Sequence, residues 1–284
     1  MMLRTLAMLV CLAGAPLMAG AAQKVNLTPL DAGPHLSSHA VAVVDAETGQ
    51  LVYEKNANQI QPFASITKLM TAMVVLDANL SLDAPITITD DEIDRLKNTS
   101  SRLAVGSMLT RREMLLLALM SSENRAAASL ARTYPGGKAA FIAQMNRKAR
   151  SLGMHNTVFH DATGLDMRNT GTAMDLVRMV KAASTYPLIR QFTTTAEYYA
   201  HPTATRVLHY KNSNALVREG AWDIGLSKTG YIEEAGRCLV MQAAVGSQRM
   251  IMVLLAANGS AARVNDAKSI KVWLESHPNT WLSG

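Results

Sequence analysis

The stretch from Pro62 to Asn79, PFASITKLMTAMVVLDAN, constrains this chain most. Ile66, Leu69, Met70, Met73, Val74, Val75 and Leu76 cover nearly the whole circumference of a helix that would start just after Pro62 and end near Asn79. A helix apolar all round is buried, so the rest of the chain must wrap it. Its polar interruptions are Thr67, Thr71 and Asp77, and its first turn carries Ser65 and Lys68.

Residues three apart share a helix face, which lays the Lys68 ammonium over the Ser65 hydroxyl. The free N–H groups and partial positive charge of a helix start suit an oxyanion forming beside Ser65. The same field disfavours a charged lysine. Holding a lysine neutral at pH 7 against its ordinary pKa of ~10.4 costs about 4.6 kcal/mol, which burial and a second nearby cation can supply. A neutral Lys68 could then take the Ser65 proton. S-x-x-K alone recurs about once by chance in a chain of this length. Its place at the head of a buried helix is what marks it.

The chain has 284 residues, 49% of them hydrophobic, and a net charge of +6. That is one large domain or two small ones, with ample material for a core. Residues 1–22 read as a secretory signal peptide: Arg4, an apolar run from Leu6 to Met18, then Ala19-Gly20-Ala21, with cleavage near Ala21 or Ala22. An uncleaved anchor is the alternative. Export would leave Cys238 as the one cysteine of the mature chain, so no internal disulfide is expected. Its apolar setting reads as a buried, inert thiol. The histidines are scattered, and neither a metal site nor any other cofactor is expected. The basic charge is spread out, which suits an anionic surface and carries no nucleic-acid signature.

Residues 23–39 read as a flexible leader, 40–276 as the folded domain and 277–284 as a short tail. Within the domain, Ala40–Val44 and Leu51–Tyr53 predict a hairpin, and Asp90–Lys97 a charged, exposed helical stretch. Thr110 with Glu113, and Thr172 with Asp175, predict capping boxes. Lys138–Leu152 predicts an amphipathic helix, and beyond Pro187 the pattern turns strand-like. Runs at Trp222–Tyr231, Cys238–Val245 and Met250–Leu255 predict an antiparallel meander, followed by a helix with Val264, Ala267, Ile270 and Leu274 on one face. Strands at both ends with helices between them predict an α+β fold, one antiparallel sheet flanked by helices.

Two more stretches carry polar groups in telling places. Ser122-Glu123-Asn124 falls between two helices; Ser122 can relay a proton and Asn124 can hold a substrate amide, although both can equally serve as helix caps. Lys228-Thr229-Gly230 lies on the meander's first strand. Trp222, Ile224, Leu226 and Lys228 share one parity, so a regular strand sets a lysine on an apolar face. Gly230 admits a second backbone, such as a substrate peptide adding to the strand edge. The alternative there is a strand end with a solvated lysine.

The order S-x-x-K, S-x-N, K-T-G, each in its fitting context, resembles the penicillin-recognising serine enzymes: the low-molecular-weight penicillin-binding proteins and class A β-lactamases. Ser100–Leu103 and Asp161–Leu165 look like the D-alanyl-D-alanine peptidase branch. The resemblance implies that Ser65 is the acylated nucleophile and Lys68 its base. It implies that Ser122 passes the proton to the leaving amine, Asn124 orients the substrate, Lys228 supplies electrostatics and Thr229 of Lys228-Thr229-Gly230 binds a carboxylate. The backbone N–H groups of Ser65 and Tyr231 would form the oxyanion hole.

Glu123 stands where many relatives have Asp or Ala, and its side chain is expected to point outward. Class A β-lactamases need E-x-x-x-N for deacylation; here Asp166 with Asn169 falls one residue short in acid and in spacing, so a long-lived penicillin adduct is expected. The chain stops soon after Leu274, and this short form resembles the family's soluble endopeptidases, which cleave peptidoglycan crosslinks. A carboxypeptidase trimming pentapeptides is the alternative within the family, and a non-catalytic wall-peptide or penicillin sensor the alternative outside it. The expected partners are crosslinked wall peptides, β-lactam antibiotics and other wall enzymes, in the periplasm, with at most peripheral membrane contact through the aromatics Trp273 and Trp281.

Overall fold

The computed structural model describes residues 33–259 and 261–277. The expected signal peptide, the first part of the leader, the tail beyond His277 and Trp281 lie outside the described residues.

Strands β1 (Ala40–Asp45) and β2 (Leu51–Lys55) form the first hairpin. β3 (Gln61–Pro62) leads into a 3-10 turn, Ala64–Ile66, and helix α1 (Thr67–Asp77). β4 (Pro85–Thr87) pairs with β5 (Met108–Thr110). Helices α2 (Arg111–Met120), α3 (Asn124–Arg132) and α4 (Gly137–Ser151) follow, and β6 (Thr170–Gly171) returns to β3. Next come α5 (Ala173–Ala183), α6 (Pro187–Thr193), the hairpin β7 (Glu197–Thr203) and β8 (Arg206–Lys211), and α7 (Ala215–Glu219). The meander β9 (Ile224–Ile232), β10 (Gly236–Val245) and β11 (Gln248–Ala257) and helix α8 (Ala262–Ser276) close the described fold.

The main sheet is antiparallel in the order β2-β1-β11-β10-β9, so β1 from the start of the domain sits beside β11 near its end. Both faces of this sheet are covered. Ala40, Ala42 and Val44 of β1 face the core shared with α1, α2 and α5, whereas Val41 and Val43 face the core shared with Ala267, Ile270 and Leu274 of α8. Double burial explains why these strands read as continuous apolar runs rather than alternating ones. β9 is the edge strand.

The expected α+β fold and its meander are present, and four local expectations change. The helix at Pro62–Asn79 opens with the 3-10 turn, so Ser65 precedes α1 proper. Asp90–Lys97 is not helical: only Asp90–Glu92 forms a 3-10 turn, and Asp94 then accepts from the N–H groups of Leu96, Lys97 and Thr99, which bends the chain into an Asx-type loop. Beyond Pro187 a helix precedes the strands, because proline preorganises the first helical turn. A bulge at Gly225 breaks the parity of β9: Trp222 and Ile224 pack on the α8 side, Leu226 on the other.

The Thr110–Glu113 capping box is complete, whereas Thr172–Asp175 is half of one. The Asp175 carboxylate instead accepts from Asn156 N and Thr157 Oγ1 and pairs with Arg178. Of the expected leader, the described end is tethered: Ser37 N and Ser38 N donate to the buried Asp266 carboxylate on α8, at 3.0 and 2.7 Å. Trp273 is partly buried, edge-on to Tyr53 at 5.8 Å, and is no exposed aromatic.

Candidate active site

Ser65 sits where several backbones crowd together. Ala64, just before it, has φ 49°, a conformation costly for a residue with a Cβ. A Cβ on Gly164 would fall 2.0 Å from Ala64 O, and one on Gly230 would fall 2.9 Å from Phe63 O and 3.1 Å from Ser65 N. Two glycines distant in sequence, Gly164 in a loop and Gly230 on β9, thus let their backbones close on the serine turn.

Lys68 is fully buried. Its Nζ donates to Ser65 Oγ at 2.7 Å, Asn124 Oδ1 at 2.8 Å and Thr163 O at 2.6 Å. Burial lowers its pKa to about 7, against the opposing pull of Asp161 and Glu123. A neutral amine would keep two donors for Asn124 and Thr163 and turn its lone pair on Ser65.

Ser122 lies in the loop between α2 and α3 with φ 62°. Its Oγ accepts from Lys228 Nζ at 3.0 Å, and the same ammonium donates to Thr229 O at 2.8 Å. Lys228 is buried too; desolvation, then Lys68, then Arg263 press its pKa well below the ordinary value. The lysine on an apolar face therefore has partners in the site, and the solvated strand-end reading falls. Asn124 opens α3 and its Nδ2 donates to Thr99 Oγ1 at 3.3 Å. Thr229 Oγ1 donates to Ser213 Oγ at 2.7 Å.

Ser65, Ser122, Asn124, Thr229, Gly230 and Tyr231 line one cleft of about 360 Å³. Lys68 and Lys228 sit in its floor through their hydrogen bonds to Ser65 and Ser122. Every residue singled out in the sequence for this site comes together here. The arrangement can move a proton from a serine to a lysine and supply another from a second serine held by a second lysine, which is the chemistry of acyl transfer.

Sequence reasoning missed five contributors: Thr99, Asp161, Thr163, Ser213 and Arg263. Arg263, on α8, lines the cleft and donates to Gly230 O at 2.9 Å. Thr163 gives Lys68 a backbone carbonyl, which no side-chain motif can announce. The Asp161–Leu165 stretch was visible as a feature, but not its partner.

One expectation about an acidic residue is corrected, and the other agrees with the geometry. Glu123 does not point outward; it is buried. Asp166 is engaged by Arg168, with Nη2 at 2.6 Å, which holds its carboxyl below the usual range. Asn169 is buried elsewhere, donating to Thr67 Oγ1 and to Asp161. The pair therefore forms no water-activating unit beside Ser65. Cys238 is buried, with its thiol pKa raised to about 11 by desolvation. Among the described residues no group of His, Cys, Asp and Glu is placed to hold a metal ion, and no helix is long and apolar enough to cross a membrane.

Residues 28–259 match the D-alanyl-D-alanine carboxypeptidase family, peptidase S11. A D-alanyl-D-alanine endopeptidase of Pseudomonas aeruginosa is 47% identical over 243 residues, 84% of this chain and 78% of that one. One from Escherichia coli is 44% identical over 85% of this chain and 78% of its own length. The crystal structure of the Streptomyces K15 DD-transpeptidase superposes with a TM-score of 0.78 at 33% identity, covering 85% of this chain and 98% of that one.

Proposed function

The chain belongs to the D-alanyl-D-alanine carboxypeptidase family and is a serine-type D-alanyl-D-alanine peptidase, and from that premise we propose that it is an endopeptidase of the penicillin-binding protein 7 type. In this reading it cleaves D-alanyl–diaminopimelate crosslinks of peptidoglycan through an acyl-enzyme. The observation that supports the acyl-enzyme route is the pair of serine–lysine contacts, Ser65 with Lys68 at 2.7 Å and Ser122 with Lys228 at 3.0 Å.

Neutral Lys68 takes the proton from Ser65, whose Oγ attacks the D-alanyl carbonyl. The N–H groups of Ser65 and Tyr231 receive the oxyanion. Ser122 passes a proton to the departing amine and regains one from the protonated Lys68, while Lys228 steadies Ser122 through that exchange. Asn124 holds the substrate amide. Thr229 and Lys228 meet the carboxylate next to the leaving amine. Water then releases the acyl group, with the proton path reversed. β-Lactams present a strained amide to the same Ser65 and acylate it.

The endopeptidase assignment draws on relatives: the endopeptidases from Pseudomonas, Escherichia and Haemophilus share 36–47% identity with this chain, against 34% for the Streptomyces K15 carboxypeptidase. The signal-peptide pattern at 1–22 supports a periplasmic site of action on wall peptides, beside other wall enzymes. A carboxypeptidase is the second reading, favoured by the family match itself.

Mature protein incubated with crosslinked dimeric wall peptides and with monomeric pentapeptides separates the readings by product mass. Dimers split to monomers with pentapeptides untouched support the endopeptidase. Loss of one alanine from pentapeptides alone overturns it in favour of the carboxypeptidase. No product from either, with penicillin still covalently bound at Ser65, points to a sensor.

A further inference from the structure

Glu123 lies between two cleft-lining residues yet turns away from the cleft. Its Oε1 accepts from Ser101 Oγ at 2.6 Å and from Arg125 N at 3.2 Å, capping α3. Its Oε2 faces the Tyr210 hydroxyl at 3.5 Å. Tyr210 is buried on β8 beneath the Arg102 guanidinium, which lies 3.8 Å from its ring centre. Arg102 in turn donates to His209 O, and Ser101 sits two residues from Thr99, the partner of Asn124. One carboxylate is therefore the meeting point of the 94–103 loop, the Ser122–Asn124 loop and β8.

The middle loop needs such a clamp. Ser122 holds a left-handed φ of 62°, a conformation that persists in a non-glycine residue only when its surroundings impose it. Both neighbours of Glu123 carry side chains that must face the cleft.

We propose that Glu123 is a positioning residue for the peptidase reaction, its carboxylate clamped by Ser101 and Tyr210 so that Ser122 and Asn124 are presented to the substrate. This role rests on the acyl-transfer reading of the site. Glu123 also reaches Lys68 by charge. Burial disfavours protonated Lys68, Asp161 and Glu123 favour it, and Lys228 donates to Ser122 next to the clamp. Arg125, whose Nη1 donates to Leu103 O, and Arg102 are the cations nearest the clamp. Removing the charge of Glu123 while keeping its shape shifts this balance toward the neutral amine.

The test is penicillin acylation of Ser65, followed by mass spectrometry across pH 5.5–9 in the mature protein. Glu123→Ala should slow acylation about tenfold or more at every pH, because a misplacement of about 1 Å in a reacting group costs that much. Glu123→Gln should restore most of the rate at pH 8 and move the acid limb to lower pH by roughly half a unit. Tyr210→Phe, which removes only the hydroxyl, should slow acylation a few-fold with the limb unmoved. A merely structural residue would scale the rate with lost stability and leave the limb in place. Wild-type acylation by Glu123→Ala, or an unshifted limb in Glu123→Gln, overturns the role. If Glu123→Ala does not fold, Glu123→Gln and Tyr210→Phe decide it alone. A wild-type chain that penicillin never labels, matching Ser65→Ala, would instead sink the peptidase reading beneath it.

Discussion

Lys228 Nζ meets Ser122 Oγ at 3.0 Å across 106 residues of chain. The contact joins the edge strand of the sheet to a loop of the helical layer. It also gives the site two buried lysines, each holding one serine. Two ammonium groups in one dry site repel each other, and Lys68 adds to the desolvation that presses Lys228 toward its neutral form.

The first consequence is the pH dependence of acylation. Lys68 titrates at about 7, and only its neutral form can accept the Ser65 proton. The second-order rate of β-lactam acylation should therefore rise about tenfold per pH unit below 7 and level off above it. Stopped-flow acylation across pH 5–9 measures this. A rate flat down to pH 5 would show that Lys68 is not the base.

The same lowered pKa has a cost in stability. The unfolded chain protonates Lys68 up to about 10.5, the folded chain only up to about 7. Between those values the unfolded state binds more protons, so stability rises with pH there. The penalty is fully present below pH 7 and on the order of 4–5 kcal/mol, partly offset by the three hydrogen bonds of Lys68. Lys68→Met should be inactive yet more stable than wild type at pH 6, with the gap closing as pH rises toward 10. Denaturant titrations at several pH values check the trend.

Gly164 touches no substrate, but its backbone packs on the turn that carries Ser65. With φ +83° and a Cβ that would sit 2.0 Å from Ala64 O, Gly164→Ala must displace that turn. We expect a loss of about 3 kcal/mol or more and acylation below detection. Thermal unfolding and penicillin labelling measure both.

Asp166 is held by Arg168, so we expect it to play no part in releasing the acyl-enzyme. Asp166→Asn should leave release of the penicillin adduct unchanged within about twofold, and release should be slow in both proteins. Mass spectrometry of the adduct over time follows it. Rapid β-lactam turnover lost in Asp166→Asn would restore the water-activating role that the geometry denies.

The legible part of the structure was what local pattern encodes. The buried helix after Pro62 announced itself by its apolar circumference, and α2 by its capping box. The meander was visible because strands covered on both faces are continuously apolar. Ser65 with Lys68 and Lys228 stood out as polar groups in places where burial should exclude them, whereas Ser122-Glu123-Asn124 stood out only as an interhelical loop and by its order with the other two.

The sequence by itself thus determined the α+β order of elements and the residue types of the site. Tertiary structure alone decided the rest. That Thr163 O, Ser213 Oγ and Arg263 join the site follows from loop closure over long stretches of chain, and a backbone carbonyl has no sequence signature. That Asp90–Lys97 bends rather than coils follows from the Asp94 carboxylate taking the N–H groups a helix would need. That Glu123 turns inward depends on Ser101 and Tyr210, two partners 22 and 87 residues away. Periodicity carries information over one turn of helix or two residues of strand. The choice between solvent and a distant partner is made only when the layers meet.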